Sequence, residues 1–244
     1  MAGNSPRTAV LADTEESTGS SSAGSLARDS IVELIGTFAL VFMGVGAIVQ
    51  TQGHDLVAIA FAHGLAIALM VAATGHFSGG AFNPAVVLAL VVARRVDPVR
   101  ALAYVIAQLL GAVIAALLIR AVFPGSMTSP VKLGVPAVGG DFNAANAFIA
   151  EIITTFFLAY VIFGVAIDRR GAGTIAALAI GLCITMDIFA VGNVSGAAMN
   201  PARWFGPAAV DGNYVNAWVW IVGPLIGAGL ASLVYFYGFL RGRG

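Results

Sequence analysis

The chain has 244 residues, of which 59% are hydrophobic and only 10% are charged, with 12 basic and 12 acidic residues. Soluble domains carry about 25% charged residues, so the composition excludes a soluble domain and predicts an all-α protein that crosses a membrane several times. The net charge is zero, so nothing in the composition suggests nucleic-acid binding. The single cysteine, Cys183, excludes an intramolecular disulfide and a metal cluster of thiolates.

Residues 1–29 differ in composition from the rest of the chain. They are rich in Ser, Thr, Gly and charged residues and contain few large apolar side chains. Such a segment cannot bury enough apolar surface to form a core, so we predict a disordered tail over residues 1–29. Residues 30–240 form the predicted membrane domain, and residues 241–244 form a short C-terminal tail.

Six apolar segments are long enough to cross a bilayer, which requires about 20 residues of helix. They lie at about 30–50, 56–74, 100–121, 145–167, 173–193 and 215–240. Two shorter apolar runs follow Asn83 and Asn200, and each is about half a membrane thick. The sequence thus predicts six transmembrane helices and two short segments that enter the bilayer without crossing it.

Basic residues are distributed unequally between the two sides of these spans. Nine of the twelve fall on one side, namely Arg7, Arg28, Arg94, Arg95, Arg100, Arg169, Arg170, Arg241 and Arg243. Arg120 and Lys132 lie on the opposite side, and Arg203 lies within the second short run. The positive-inside rule therefore predicts that both termini are cytoplasmic.

The membrane domain contains a repeat, with one half over about residues 30–121 and the other over about 145–240. Three pairs of segments match at offsets of 118, 117 and 116 residues. The pairs are VELIGTF at Val32–Phe38 with AEIITTF at Ala150–Phe156, SGGAFNPA at Ser78–Ala85 with SGAAMNPA at Ser195–Ala202, and QLLGA at Gln108–Ala112 with PLIGA at Pro224–Ala228. Each half has three spans, and an odd number places the second half upside down, so we predict an inverted-topology repeat.

Each half carries the triplet Asn-Pro-Ala at the start of its short apolar run. The triplets are Asn83, Pro84 and Ala85, and Asn200, Pro201 and Ala202. Asn favours the N-cap and Pro the first turn of a helix, so each triplet predicts a half-helix that begins inside the membrane after a Gly- and Ser-rich re-entrant loop. Inversion brings the two positively polarised N-termini together at the midplane. We expect this centre to repel cations, hydronium included, while both Asn amides donate hydrogen bonds to water in a lumen.

This combination of features resembles the aquaporin (major intrinsic protein) family over about residues 30–240. The features are the two motifs in register, the six spans, a Glu in the first span of each half, and Arg203 directly after the second motif. The resemblance implies an hourglass fold, a pore in each protomer and a homotetramer in the lipid bilayer. It also implies that Glu33 and Glu151 brace the re-entrant loops by holding loop carbonyl groups.

The family builds a second, extracellular constriction from four positions, which correspond here to His63, Ile188, Ala197 and Arg203. This set resembles the plant vacuolar (tonoplast-intrinsic) subgroup, many members of which pass water together with ammonia or other small neutral solutes. Ile188 is apolar where orthodox water channels usually have His, and Ala197 is small, so we expect a wider and less polar filter. Arg203 supplies guanidinium donors and a fixed positive charge, which favours ammonia over ammonium.

Asp187 is an unexpected acid within the fifth span, next to Ile188. Intramembrane acids are usually functional, so one hypothesis is that Asp187 pairs with His63 or Arg203 behind the filter and orients its partner. The alternative is that Asp187 faces the extracellular vestibule and is hydrated.

The sequence therefore predicts a passive channel that passes water, excludes protons and ions, and also passes ammonia or other small neutral solutes. A glycerol facilitator is an alternative, although such proteins carry Asp and a basic residue where this chain has Trp204 and Ala208. A proton-coupled secondary transporter and a non-conducting adhesive tetramer are further alternatives. The three histidines have no nucleophile or metal partners at suitable spacing, so we expect no enzyme activity, metal or cofactor. The lack of a targeting segment favours the plasma membrane.

Overall fold

The computed structural model describes residues 23–240, and all regular elements in that range are helical. The helices are α1 (Ala23–Thr51), α2 (Leu56–Ser78), α3 (Pro84–Val92), α4 (Pro98–Val122), α5 (Gly125–Thr128), α6 (Ala144–Ile162), α7 (Ala176–Ser195), α8 (Pro201–Asp211) and α9 (Ala217–Ser232). Helices α6 and α9 continue as π-helical segments over Phe163–Ile167 and Leu233–Leu240. Counted with the adjoining turns, six helices are long and apolar enough to cross a membrane, which confirms the six predicted spans.

Helix α1 begins at Ala23, inside the segment that was predicted to be disordered, so that prediction is wrong for residues 23–29. An ion-pair network explains the early start. Asp29 is almost fully buried and accepts hydrogen bonds from Arg28 at 2.8 Å and from Arg100, at the start of α4, at 2.5 Å. These bonds fix the first turns of α1 to α4. Residues 1–22 and 241–244 lie outside the described residues.

The half-helices α3 and α8 begin as their triplets predict. The Asn83 side chain accepts a hydrogen bond from the Ala85 backbone N–H at 2.8 Å, and Asn200 accepts from Ala202 at 3.0 Å. Each Asn is the N-cap, and each helix has Pro at its first position. Nine and eleven residues correspond to about 14 and 17 Å of helix, which is about half of the hydrocarbon core.

The two halves pack in the same way, because α1 lies along α4 in the first half and α6 lies along α9 in the second. Glycines allow these close approaches. A Cβ at Gly111 would overlap the Leu34 backbone, and a Cβ at Gly227 would overlap the Ile152 backbone. Helix α2 of the first half packs against α7 of the second half, and this contact joins the two halves. Small residues at crossings are the usual means of packing membrane helices tightly.

A charged cluster fixes the loop between the fourth and fifth spans. Arg170 donates from Nε and Nη2 to the two carboxylate oxygens of Asp168, at 2.9 and 2.6 Å, and the Tyr235 hydroxyl donates to the same group at 3.3 Å. Arg170 also reaches the Phe239 carbonyl at 3.4 Å. The hydrogen bonds from Arg170 lower the pKa of Asp168 to about 2. The loop is therefore tied to the final helical segment.

Replacing Asp168 with asparagine should cause a small drop in the melting temperature of the detergent-solubilised protein at about pH 7. The drop is small because the Arg170 side chain is exposed and solvent screens the pair. Since the pKa is depressed, the stabilisation is complete above the ordinary aspartate value of 3.8 and is lost as pH falls towards 2. Melting temperatures of parent and variant should converge in acid, and a gap that stays constant from pH 7 to pH 3 would refute the assignment.

Candidate functional site: a cavity between the two halves

A buried carboxyl group from each half organises the loop that precedes its half-helix. The Glu33 carboxyl accepts hydrogen bonds from the Ser78 hydroxyl at 2.6 Å and from the backbone N–H groups of Ala81 and Phe82 at 3.0 and 2.7 Å. The amide of Gln108 donates a fourth bond at 2.7 Å. The expectation that this Glu holds carbonyl groups is therefore wrong, because the carboxyl oxygens accept from backbone N–H groups.

Glu151 repeats this arrangement in the second half. Its carboxyl accepts from the Ser195 hydroxyl at 2.7 Å and from the N–H groups of Ala198 and Met199 at 2.9 and 2.7 Å. Pro224 occupies the position that corresponds to Gln108 and has no side-chain donor. Both Glu side chains are fully buried, so three donors at Glu151 depend on a single side chain for their partner.

The two loops have the same unusual backbone. Phe82 and Met199, each directly before the motif asparagine, adopt left-handed φ values of 47° and 52°. Ala197 has a φ of 42°, where its counterpart is Gly80 at 67°. Left-handed backbone is costly for residues other than glycine. The bonds to Glu33 and Glu151 hold these conformations in place.

The motif asparagines connect the two halves directly. The Asn83 side-chain amide donates to the Met199 carbonyl at 2.8 Å, and the Asn200 amide donates to the Phe82 carbonyl at 2.9 Å. The two N-caps therefore meet, as the inverted repeat predicts. An amide group has two N–H donors, so each asparagine uses one for this exchange and retains one.

A narrow cavity is lined by both loops, and the space in it that water centres can occupy is about 30 Å³, enough for about two water molecules. The predicted site residues that line it are His63, Asn83, Ile188, Ala197, Asn200 and Arg203. Much of the remaining wall is aliphatic, with Leu40, Ile67, Val86, Leu158, Ile162, Ile180 and Ile184. Pro84, Ala85, Pro201 and Ala202 are buried but are outside this lining set. The structure thus brings the four filter positions and both asparagines to one cavity.

Arg203 is held by a residue that the sequence did not single out. Its Nη1 donates to the Gly134 carbonyl at 2.9 Å, while its Nε has no hydrogen-bond partner among residues 23–240. Lys132, Leu133 and Gly134 form a tight turn in which all three φ values are positive, at 46°, 51° and 67°. The Leu133 side chain anchors the turn because it is buried. The turn thereby presents a backbone carbonyl to the guanidinium group.

The His63 ring is hydrogen-bonded to the backbone of its own helix. Its Nδ1 is 2.8 Å from the Ile59 carbonyl. A carbonyl can only accept, so Nδ1 carries the hydrogen and Nε2 is left as an acceptor. In the described part of the chain Nε2 has no hydrogen-bond partner. The ring orientation is therefore fixed by one backbone bond and by packing.

Both hypotheses for Asp187 are wrong. It is only 2% exposed, which excludes a hydrated position in a vestibule. It is also outside the cavity lining and forms no hydrogen bond or ion pair with His63 or Arg203 in the described structure. Its partner is the Cys183 thiol, one helical turn earlier, at 3.6 Å. The pore-lining face of α7 carries Ile184 and Ile188 instead, so Asp187 lies on a neighbouring face of that helix.

Two repeated halves, two half-helices that meet at their N-caps and one narrow cavity between them define a helical transmembrane channel. The sequence pattern of the Major intrinsic protein family matches residues 20–235. The chain therefore belongs to the major intrinsic protein family, whose members are channels rather than enzymes.

Relatives from different subgroups are about equally similar to this chain. Aquaporin NIP1-1 of Zea mays is 41% identical over 84% of this chain and 72% of its own length. Aquaporin TIP4-4 of Zea mays is 42% identical over 85% of each chain. Among solved structures, the aquaglyceroporin from Plasmodium falciparum superposes with a TM-score of 0.78 at 26% identity, over 86% of this chain and 96% of that one. The predicted family is thus confirmed, whereas the overall identities do not distinguish its subgroups.

Proposed function

We propose that this protein is a passive water channel that excludes protons and ions. The observation that carries the proposal is the reciprocal bond between the motif asparagines and the opposite loops, at the wall of the cavity that Arg203 also lines. Two half-helix N-termini, each with about half a positive charge, meet there. The arrangement provides a polar and cation-repelling centre in an otherwise aliphatic passage.

The asparagines also provide a way to interrupt a chain of hydrogen-bonded water. Each amide retains one N–H donor after its bond to the opposite loop. A water molecule that accepts from these amides directs its own hydrogens away from the centre, towards water on either side. Protons cannot pass along a water chain whose orientation reverses at its middle, whereas water itself can still move.

The filter composition supports passage of ammonia in addition to water. Ile188 and Ala197 supply apolar and small surfaces, and the His63 Nδ1 hydrogen is already used by the Ile59 carbonyl. The filter therefore binds water less strongly than one with an additional free donor. Arg203 repels ammonium but not ammonia.

A glycerol facilitator is the second candidate, favoured by the likeness to the Plasmodium falciparum aquaglyceroporin. Trp204 bears on this question because facilitators carry Asp at its position. Its ring is buried and stacks on Trp220, with ring centroids 6.2 Å apart and planes 6° apart. Trp204 therefore stabilises the packing of α8 against α9 and does not supply the facilitator's polar group.

A proton-coupled transporter would use an acid in its pathway. Asp187, the acid that suggested this alternative, does not line the cavity and accepts a hydrogen bond from the Cys183 thiol. The proposed channel therefore moves water at a rate independent of a proton gradient, and a rate that follows the gradient would favour the transporter instead.

We also propose that both termini are cytoplasmic and that the protein is a homotetramer of the plasma membrane. The charge distribution supports cytoplasmic termini, and the plasma membrane is the proposed site. Large apolar side chains such as Leu69 on α2 and Leu182 on α7 are exposed on the outside of the bundle. Such a surface suits contact with lipid and with sister subunits, in agreement with a homotetramer.

If these residues form the filter, replacing two of them should change which solutes the channel passes. Combining His63→Phe with Ile188→His should retain water permeability but reduce ammonia permeability about tenfold, because the second change restores a hydrogen-bonding side chain and the first adds bulk. Swelling of proteoliposomes in a panel of ammonia, glycerol and urea measures this, and Leu182→Ala on the outside of α7 is the matched control. If the solute profile is unchanged in the double variant, these residues do not form the filter.

A further inference from the structure

Gly44 on α1 lies directly against the His63 ring of α2. An added Cβ at Gly44 would overlap three atoms of that ring, namely Nε2, Cδ2 and Cε1. The ring tip thus occupies the space that any side chain at position 44 would need. At its other edge, Nδ1 is bound to the Ile59 carbonyl at 2.8 Å, so the ring is fixed from both ends.

The second half of the molecule fills the corresponding space differently. An offset of 118 relates Gly44 to Ile162, and an offset of 117 relates His63 to Ile180. Both isoleucines line the cavity. Of the corresponding pair in the first half, His63 lines the cavity, whereas Gly44 is buried behind the His63 ring. The repeat is thus asymmetric at this level, with a large ring over a recess in one half and two branched side chains in the other.

We propose that Gly44 is a positioning residue of the filter, and that its recess seats the His63 ring tip and thereby sets the free width of the pore. The inference rests on the proposed channel function. The backbone of α1 at Gly44 lies directly behind the ring. A side chain at position 44 would need the space of the ring tip and would displace the ring towards the cavity, whose wall Ala197 and Arg203 also form.

The test compares Gly44→Ala with Gly46→Ala in purified proteoliposomes. Gly46 is on the same helix, and a Cβ there meets no atom within 4 Å among residues 23–240, so it controls for the general effect of alanine in α1. We expect water permeability per molecule to fall about tenfold or more in Gly44→Ala and to remain unchanged in Gly46→Ala. Equal permeability of the two variants would overturn the proposal.

A second pair of variants asks whether the effect passes through His63. His63→Ala empties the recess, so Gly44→Ala should have no further effect on water permeability in that background. The double-mutant cycle should therefore show a large coupling between positions 44 and 63. An equal loss of permeability in both backgrounds would overturn the proposal. Should Gly44→Ala fail to fold, recovery of folded protein by adding His63→Ala supports the steric conflict, and failure of the double variant refutes it. If the parent protein itself has no water permeability, the proposed channel function is wrong, whatever the variants show.

Discussion

Replacing Glu151 with glutamine is expected to destabilise the second half of the channel and to reduce water permeability. The amide oxygen can still accept from Ser195 and Ala198, but the new NH₂ group then faces the Met199 N–H, donor against donor. An unsatisfied buried donor costs about 1–3 kcal/mol. Replacement by alanine leaves all three donors without a partner, and we expect a loss of about 3–5 kcal/mol, comparable to breaking a buried charged network.

Asp187→Asn is the matched control for this change. Asp187 is also a buried acid of the second half, but its partner is the Cys183 thiol rather than a pore loop, and the asparagine oxygen can still accept that bond. Thermal melts in detergent and stopped-flow permeability of both variants make the comparison. If Glu151→Gln and Asp187→Asn change stability and permeability equally, Glu151 has no special part in holding the Met199 loop.

Replacing Arg203 with valine is expected to allow cations and protons to leak through the pore. A cation about 4 Å from a fixed positive charge is repelled by about 4 kcal/mol at an effective dielectric constant of about 20. Losing this term raises cation flux by up to about a thousandfold. The valine is also smaller, so neutral solutes larger than water should pass more readily.

Arg203→Lys separates the charge from the shape of the guanidinium. Lysine keeps the positive charge but presents a point charge on a flexible stem instead of a planar fork, so the bond to the Gly134 carbonyl is weakened. This variant should still exclude cations while its solute selectivity relaxes. Proton flux into vesicles is measured with a trapped pH-sensitive dye. If Arg203→Val conducts protons no faster than the parent protein, Arg203 does not contribute to the proton barrier.

The spans and the repeat were predictable from the sequence because each depends on local composition or on residues in register. A run of about 20 apolar residues predicts a membrane helix wherever it occurs. The Asn83 and Asn200 triplets predicted helix starts through capping, which is a property of adjacent residues. The structure places the ends of the spans within a few residues of these predictions, except at Ala23, where the bonds of Asp29 with Arg100 extend α1.

The contacts that fix the pore walls were not predictable, because they join distant parts of the chain through the backbone. The Gly134 carbonyl binds Arg203 across 69 residues, and no side chain at position 134 signals that bond. The asparagine amides likewise bind the carbonyls of Phe82 and Met199 rather than any side chain. A backbone acceptor leaves no chemical trace in the sequence.

The position of Asp187 was wrongly predicted for a different reason, which concerns the face of the helix that it occupies. Its neighbour Ile188 lines the cavity, which suggested that Asp187 approaches the filter as well. Adjacent residues on a helix are about 100° apart around its axis, so Asp187 belongs to another face and meets Cys183, four residues earlier. The recess at Gly44 is a similar case, because the absence of a side chain becomes meaningful only once the His63 ring is seen against it.

Water flux through reconstituted protein, measured with proton flux in the same vesicles, tests the central claim most directly. If the N-caps of α3 and α8 form a cation-repelling centre in a continuous water path, shrinkage in a stopped-flow experiment is fast. Its activation energy is then near that of water self-diffusion, and proton flux stays at the level of bare lipid. Shrinkage no faster than bare lipid, or proton flux that rises in step with water flux, would contradict the account.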